Sequence, residues 1–198
     1  MKLLISLLLI FATSFSFAQT EKKKAVAPAK NSLVLFLLNP ELRYERSGSQ
    51  EIEDRKPQNF SMAYYFQKYS VLLEYASFKE ESGNATSSLS RTHVDTLLFG
   101  RYHFFKHSTA QMISTLYAGG GLGAFKEEVT TTLLGDSRTD TSDGKFMSAL
   151  AIGTEFLLPI NKSVGFVAAA EGRAMMGDGF DPNPIWSLLA RMGIEFNF

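Results

Sequence analysis

The chain contains no cysteine. A disulfide framework and a thiolate metal site are therefore excluded, and an exported domain of this size must be held by burial and backbone pairing alone. Net charge is also missing, because 20 Lys and Arg residues balance 20 Asp and Glu. No bulk field is left to attract nucleic acid. Long apolar runs are absent except at the start, where Leu3 to Phe17 carries no charge. That run falls short of the roughly 20 apolar residues a spanning helix needs. Lys2 precedes it, and Ser16-Phe17-Ala18 places small residues at the minus-three and minus-one positions, the layout of a secretory signal peptide. Residues 1–18 are expected to be removed after export, leaving about 180 residues, a length that suggests one domain.

What is present is a period. Residues 19–30, which include the basic stretch TEKKKAVAPAK, show none and are expected to form a flexible periplasmic leader. From residue 31 to residue 198 the chain alternates. In Ile185 to Phe198 one face carries Trp186, Leu188, Ala190, Met192, Ile194, Phe196 and Phe198, and the other Ser187, Arg191, Glu195 and Asn197. A helix would mix these sets, since its period is 3.6 and not 2. Arg91 to Lys106 sets Val94, Leu98, Tyr102 and Phe104 against Arg91, His93, Asp95 and Arg101. Phe146 to Leu158 and Ser163 to Met175 alternate likewise, with Glu155, Glu171 and Arg173 on the polar side. Leu33 to Arg46 groups Val34, Phe36, Leu38, Leu42 and Tyr44 against Asn39, Glu41, Arg43 and Glu45, with Pro40 marking a bend or bulge. Segments 60–68, 71–79 and 112–125 complete a set of eight strands.

Connection length alternates too. Short turns are expected near Lys68-Tyr69, at Lys106 to Ala110 and at Pro159 to Ser163. Long polar loops are expected at Ser47 to Pro57, Glu80 to Ser90, Lys126 to Gly144 and Gly177 to Pro184. Short on one side and long on the other is the loop pattern of bacterial outer-membrane barrels. Closure of such a sheet removes the unpaired edges that lipid does not tolerate. The expected fold is all-β: an eight-stranded antiparallel up-and-down transmembrane β-barrel preceded by a signal peptide, located in the bacterial outer membrane.

Three stretches, Leu97 to Phe104 (LLFGRYHF), Tyr117 to Ala124 (YAGGGLGA) and Met192 to Phe198 (MGIEFNF), resemble small OmpA/OmpW-type outer-membrane barrels. The terminal Phe198 on an alternating last strand is similar to the signal read by the outer-membrane assembly machinery. The resemblance implies outer-membrane lipids and lipopolysaccharide as surroundings, and leaves room for an external partner at the loops.

The inward face is where chemistry would reside. Glu74, Asp95, Arg101, Glu155, Glu171, Arg173, Arg191 and Glu195 fall on it by parity, and Glu171 and Arg191 should be neighbours across the final hairpin. Such charges must pair in a narrow lumen, because an isolated buried charge costs several kcal/mol. Either they form a structural plug or they gate a pore, and a filled interior is usual at eight strands. Tyr44, Tyr102, Trp186 and Phe198 are expected in the interfacial aromatic girdles. Gly119-Gly120-Gly121 with Gly123 lacks the lysine and helix of a phosphate loop, and reads as room for a bend or for bulky neighbours. His93 and His103 face inward and His107 lies with Ser108 in a short periplasmic turn; Asp95 could orient His93, but the pattern places no serine beside that oriented base, so catalysis is not expected. Leu134 to Lys145 lacks the spacing of a calcium loop, and neither a metal nor a cofactor is expected. The functional expectation is a structural or surface-interaction barrel with a packed, charged lumen. The alternatives are a narrow channel or conduit for small solutes, hydrophobic ones included, and, more remotely, a lipid-modifying enzyme.

Overall fold

The computed structural model describes residues 31–46, 52–55, 58–84, 87–109, 111–142, 144–178, 180 and 183–198. The expected signal peptide (1–18) and leader (19–30) lie outside them. The described chain is built of strands: β1 (Asn31–Leu38), β2 (Glu41–Arg46), β3 (Ile52–Arg55), β4 (Gln58–Phe66), β5 (Tyr69–Asn84), β6 (Ser87–Ser108), β7 (Ile113–Leu133), β8 (Asp136–Thr141), β9 (Lys145–Pro159), β10 (Val164–Gly177) and β11 (Ile185–Asn197). Three consecutive pairs, β1 with β2, β3 with β4 and β8 with β9, each form one interrupted stave, which leaves eight staves. All pairings are antiparallel, and β1 pairs both β4 and β11, so the sheet closes on itself. Closure leaves each stave with a neighbour on both sides around the barrel wall.

Side chains alternate across that wall. On β5, Leu72, Glu74 and Ala76 are buried while Val71, Leu73 and Tyr75 are exposed. On β11, Ser187, Leu189, Arg191 and Glu195 are buried while Trp186, Leu188, Met192 and Phe196 are exposed. The lumen is thus filled, with Val34, Phe36, Leu72, Leu97, Phe99 and Met147 forming its apolar share.

The first stave corrects one expectation. Alternation groups Val34 and Phe36 with the outer apolar face, but both are fully buried inside. The ladder with β11 slips between Phe36 and Leu38, which sends Leu37 and Leu38 outward together and moves the inward parity from even to odd. That is the effect of a bulge: one extra residue on one strand reverses the faces beyond it. Asn39 and Pro40 follow the slip. Pro40 has no N–H to give the ladder, but its carbonyl accepts from Ala190 N at 3.0 Å. The Asn39 amide donates to the carbonyls of Phe36 (2.9 Å) and Asn59 (3.0 Å), and its oxygen accepts from Ser61 Oγ (3.1 Å). The interruption therefore carries its own hydrogen bonds. A second slip, at His103/Phe105 on β6, likewise turns Phe104 and Phe105 outward together.

Three expected loops contain strands: within 47–57, β3 pairs with β2 from Arg43↔Arg55 to Arg46↔Ile52. The polar stretches 80–90 and 126–144 carry the β5–β6 ladder to Asn84↔Ser87 and the β7–β8 ladder to Leu133↔Asp136. Apolar alternation stops where the outer face leaves its apolar belt, but backbone pairing does not, so a Ser- and Thr-rich hairpin continues as sheet. At the other end the turns are tight. The first is Gln67-Lys68, one residue earlier than expected, with Gln67 left-handed at φ 56°. Thr109 Oγ1 closes the second by accepting from Met112 N at 3.0 Å. Asn161 Oδ1 closes the third by accepting from Ser163 N and Val164 N at 2.8 and 2.9 Å, an Asx-type turn.

The β7–β8 turn holds Leu134 at φ 52° and Gly135 at φ 93°, the mirror-image turn that favours Asn-Gly. Leucine in the left-handed region costs about 1 kcal/mol or more, and asparagine tolerates it. Leu134→Asn is expected to slow exchange of the Thr131 and Arg138 amides about fivefold, the equivalent of about 1 kcal/mol. Unchanged exchange would mean that the turn does not set the stability of this hairpin.

Candidate functional site

The inward polar residues fall into three layers along the barrel axis. The middle layer is a closed cluster of charges drawn from four staves, joined by a tyrosine from a fifth. Arg173 on β10 grips Glu74 on β5 with two bonds, Nη1–Oε1 2.5 Å and Nη2–Oε2 2.9 Å, the bidentate geometry that suits a guanidinium. Arg173 also meets Glu171 Oε1 at 2.8 Å. Arg191 on β11 reaches Glu74 Oε2 at 2.5 Å and Glu171 Oε2 at 3.1 Å. Arg101 on β6 reaches Glu171 Oε2 at 2.9 Å, and Tyr117 on β7 donates its hydroxyl to the same oxygen at 2.9 Å. Three arginines face two glutamates, a formal balance of three minus two, or one positive charge. Aromatic faces take up part of that excess: Arg101 lies 4.7 Å over the Tyr117 ring and Arg173 4.6 Å over Phe99. The charged side chains of this layer, Glu74, Arg101, Glu171, Arg173 and Arg191, have 0% exposure, so a water molecule cannot touch them.

The layer toward the long hairpins is built on β2 and β6. Arg43 pairs with Glu41 (Nε–Oε1 3.0 Å) and with Asp95 (Nη1–Oδ2 2.6 Å), and His93 Nε2 lies 3.3 Å from Asp95 Oδ2. Asn59 Nδ2 donates to Glu41 at 3.3 Å. The His93 ring stands between Phe78 (centroids 4.8 Å) and Phe125 (5.4 Å), and Phe125 in turn stacks on Phe180 (4.6 Å). An aromatic stack therefore covers the ion pairs on that side.

The layer toward the short turns is looser. Tyr65 donates to Glu155 Oε2 at 2.5 Å, and Asn197 Nδ2 is 3.4 Å from Glu195 Oε2. Ser70 Oγ and His103 Nε2 are 3.0 Å apart. A cavity of about 290 Å³ opens here, bounded by Ser32, Tyr65, His103, Thr115, Glu155 and Glu195, among others.

All eight inward charges named from the sequence are buried: Glu74, Asp95, Arg101, Glu155, Glu171, Arg173, Arg191 and Glu195. The structure divides them. Glu74, Arg101, Glu171, Arg173 and Arg191 share one network, Asp95 belongs to the layer above it, and Glu155 with Glu195 lines the cavity below. Glu41 and Arg43 complete the Asp95 layer; the sequence puts them on the polar face of the first segment without marking them as part of the charge set. Sequence reasoning also leaves His103 without a serine, because it assigns Ser70 to the turn. Ser70 is 1% exposed, so this hydroxyl has no open approach from outside the barrel. Among the described residues no group of three or more His, Cys, Asp or Glu side chains is placed to hold a metal ion.

Of the aromatics expected at the girdles, Tyr102, Trp186 and Phe198 are exposed on the outer wall, at opposite ends of it. Phe198 stacks with Tyr64 at 6.3 Å near the short turns. Tyr44 pairs in register with Trp186, and its side chain lies outside the described residues. Beyond the long-hairpin rim the outer face changes character. By parity Ser88, Ser90, Thr130, Thr132, Ser137 and Thr139 share that face, with Thr130–Thr139 hydroxyls 3.0 Å apart and Thr132–Ser137 hydroxyls 2.9 Å apart.

No protein-family model and no curated protein matches this chain. Solved structures with a similar architecture include Ail, the attachment invasion locus protein of Yersinia pestis (14% identity over 86% of this chain and 100% of that one, TM-score 0.47). They also include a major outer membrane protein of Thermus thermophilus (13% identity, 87% and 100%, TM-score 0.49). A third is Neisserial surface protein A (12% identity, 85% and 95%, TM-score 0.46).

Proposed function

We propose that this protein is an outer-membrane β-barrel whose lumen is sealed by ion pairs, and whose role is structural and surface-presenting and not conductive. The exposed outer wall supports the membrane reading. Leu37, Leu73, Leu98, Leu122, Leu150 and Ile152 are each about half exposed or more, on a wall that alternates with a filled interior. So much outward apolar surface is a liability in water and suits lipid. On β7 the apolar and small outward positions run from Leu116 to Ala124 and end at Lys126. Nine residues at about 3.4 Å each, tilted by about 40°, cover about 23 Å, close to the roughly 25 Å band of such barrels. No described helix is long and apolar enough to cross a membrane. Phe198 at the end of β11 would be the handle for the assembly machinery, and outer-membrane lipids and lipopolysaccharide would surround the wall.

The complete burial of the middle charge cluster carries the sealed reading. A conducting lumen needs a water-accessible path past Glu74, Glu171 and the three arginines, and their side chains expose none. The hairpins beyond the rim remain as the parts that meet an external partner, through the hydroxyl face of β6, β7 and β8. Purified protein in a planar bilayer, shown to be folded by its altered gel mobility before and after boiling, is expected to give no steady single-channel conductance. Steady openings from folded protein would replace this reading with a narrow channel.

A further inference from the structure

The charges of this chain sum to zero, but they are not spread evenly along it. The long connections 47–57, 80–90, 126–144 and 177–184 hold twelve acidic residues against four basic ones, an excess of eight negative charges. The three short turns hold Lys68, Lys106 and Lys162 and no acid. All three lysines are exposed, and none is in an ion pair among the described residues. The opposing charges at that end are the Phe198 carboxylate and, within the lumen, Glu155 and Glu195. Lys68 and Lys106 border the same cavity as these two acids, whereas Lys162 is not part of its lining. Tight turns fix where each lysine leaves the backbone. The Lys68 carbonyl accepts from His103 N at 2.8 Å, and Asn161 Oδ1 closes the turn that holds Lys162. Each lysine also adjoins outward apolar side chains. Phe66 and Tyr69 flank the first turn, Phe105 precedes Lys106, and Ile160 stands two residues before Lys162, all of them exposed. With those groups at the edge of the hydrocarbon, the lysine methylenes lie along apolar surface and the ammonium reaches the depth of the lipid phosphates.

We propose that the short-turn rim is a contact surface for anionic phospholipids, which Lys68, Lys106 and Lys162 select from the leaflet on that side. The proposal rests on the outer-membrane reading above. A zwitterionic headgroup carries its own ammonium beside the phosphate and offers a lysine no net charge; a phosphatidylglycerol-type headgroup does. A lysine held near an anionic bilayer surface gains about fivefold in partition at moderate salt. The three lysines sit on three different turns, between β4 and β5, β6 and β7, and β9 and β10, so they engage separate lipids around the rim. An acidic polymer in solution would have no use for the apolar neighbours of each lysine, and a lipid uses both. The acidic excess at the opposite end confines the preference to one rim.

The test uses tryptophan quenching by brominated lipids in vesicles of phosphatidylcholine and phosphatidylglycerol, with folding checked by gel mobility. The chain has a single tryptophan, Trp186, on the outer wall at the long-hairpin end, and it reports on that rim. Phe104→Trp combined with Trp186→Phe moves the reporter to the outer wall two residues before Lys106, where Phe104 is exposed. At this second position brominated phosphatidylglycerol is expected to compete about threefold or more better than brominated phosphatidylcholine. Trp186 should show no such preference. Replacing Lys68, Lys106 and Lys162 together by Gln should bring the ratio close to one, and so should about 1 M salt, where the screening length is about 3 Å. Equal competition by the two lipids at the short-turn reporter would overturn the proposal. A preference unchanged in the folded triple variant would overturn it too, by assigning the effect to charges elsewhere in the chain. Lysine-dependent sedimentation with peptidoglycan, without any lipid preference, would give the rim to an acidic polymer instead. Protein that neither lipid quenches at either reporter has not entered the bilayer, and that result fails the membrane reading itself; equal quenching by both lipids fails this proposal alone.

Discussion

Arg191→Glu is expected to destabilise the folded barrel by at least about 3–5 kcal/mol in urea unfolding, the loss typical of breaking a buried pair by changing one partner. Arg191 is the guanidinium that bridges Glu74 and Glu171 from β11, at 2.5 and 3.1 Å. Removing it while adding a carboxylate takes the cluster from three cations and two anions to two cations and three anions. Water cannot enter to screen the new repulsion, since these side chains have no exposure. Two comparisons separate charge from packing. Arg191→Met leaves two arginines facing two glutamates, so it should cost less than Arg191→Glu although it removes the same contacts. Arg138→Glu reverses one member of the exposed Arg138–Asp140 pair, where the side chains are 82% and 71% exposed, and should cost less than about 1 kcal/mol. Equal midpoints for Arg191→Met and Arg191→Glu would show that charge balance is not what holds this layer.

The side of Arg191 is legible in the sequence for a simple reason. Period two on β11 is unbroken from Trp186 to Phe198, so its orientation follows from counting, and so does that of Glu171 and Arg173 on β10. Counting also places Glu171 near Arg191, because their strands share the final hairpin, with Ala169 opposite Arg191 and Glu171 opposite Leu189. It cannot show that Glu74 is the closer partner of Arg191. Glu74 lies across the lumen, 117 residues away, and only closure of β1 on β11 fixes which staves face each other. Counting fails outright at the first stave. The bulge at 37–38 reverses parity inside a run of apolar residues, LVLFLL, where either face reads as the outer one. Pro40 points to an interruption, but the slip lies before it. The hairpins beyond the rim escape for the opposite reason. Polar strands such as DSRTDT have no apolar face to announce them, and only their pairing with β7 makes them sheet. Ser70 is lost by a single residue, because a turn placed at Lys68-Tyr69 instead of Gln67-Lys68 leaves it in the connection and out of reach of His103.

Gly123→Val is expected to prevent formation of the heat-modifiable folded form, while Gly100→Val folds as the unaltered protein does. Both glycines lie in the β6–β7 ladder, where a β-branched residue ordinarily fits better than glycine, by up to about 1 kcal/mol. Their surroundings invert that preference at one of them. Gly123 faces the interior opposite Leu97, and a Cβ there would lie 2.0 Å from the Thr96 carbonyl oxygen and 3.0 Å from Leu97 Cδ2. The nearer obstacle is backbone, so relief requires moving β6 itself, and overpacking that shifts backbone exceeds the usual cost of about 1–3 kcal/mol. Gly100 points outward, and a Cβ there would meet nothing within 4 Å. The contrast assigns the glycine run a job that the sequence leaves open. Its inward members let β6 and β7 approach closely around a lumen already filled by Arg101, Phe99 and Leu97, whereas its outward neighbours are free to vary. Gel mobility before and after boiling, followed by urea midpoints for whatever folds, decides between the two. If Gly123→Val yields folded protein with an unchanged midpoint, β6 is not held as tightly as its pairing implies, and the sealed lumen that depends on that tightness loses its support.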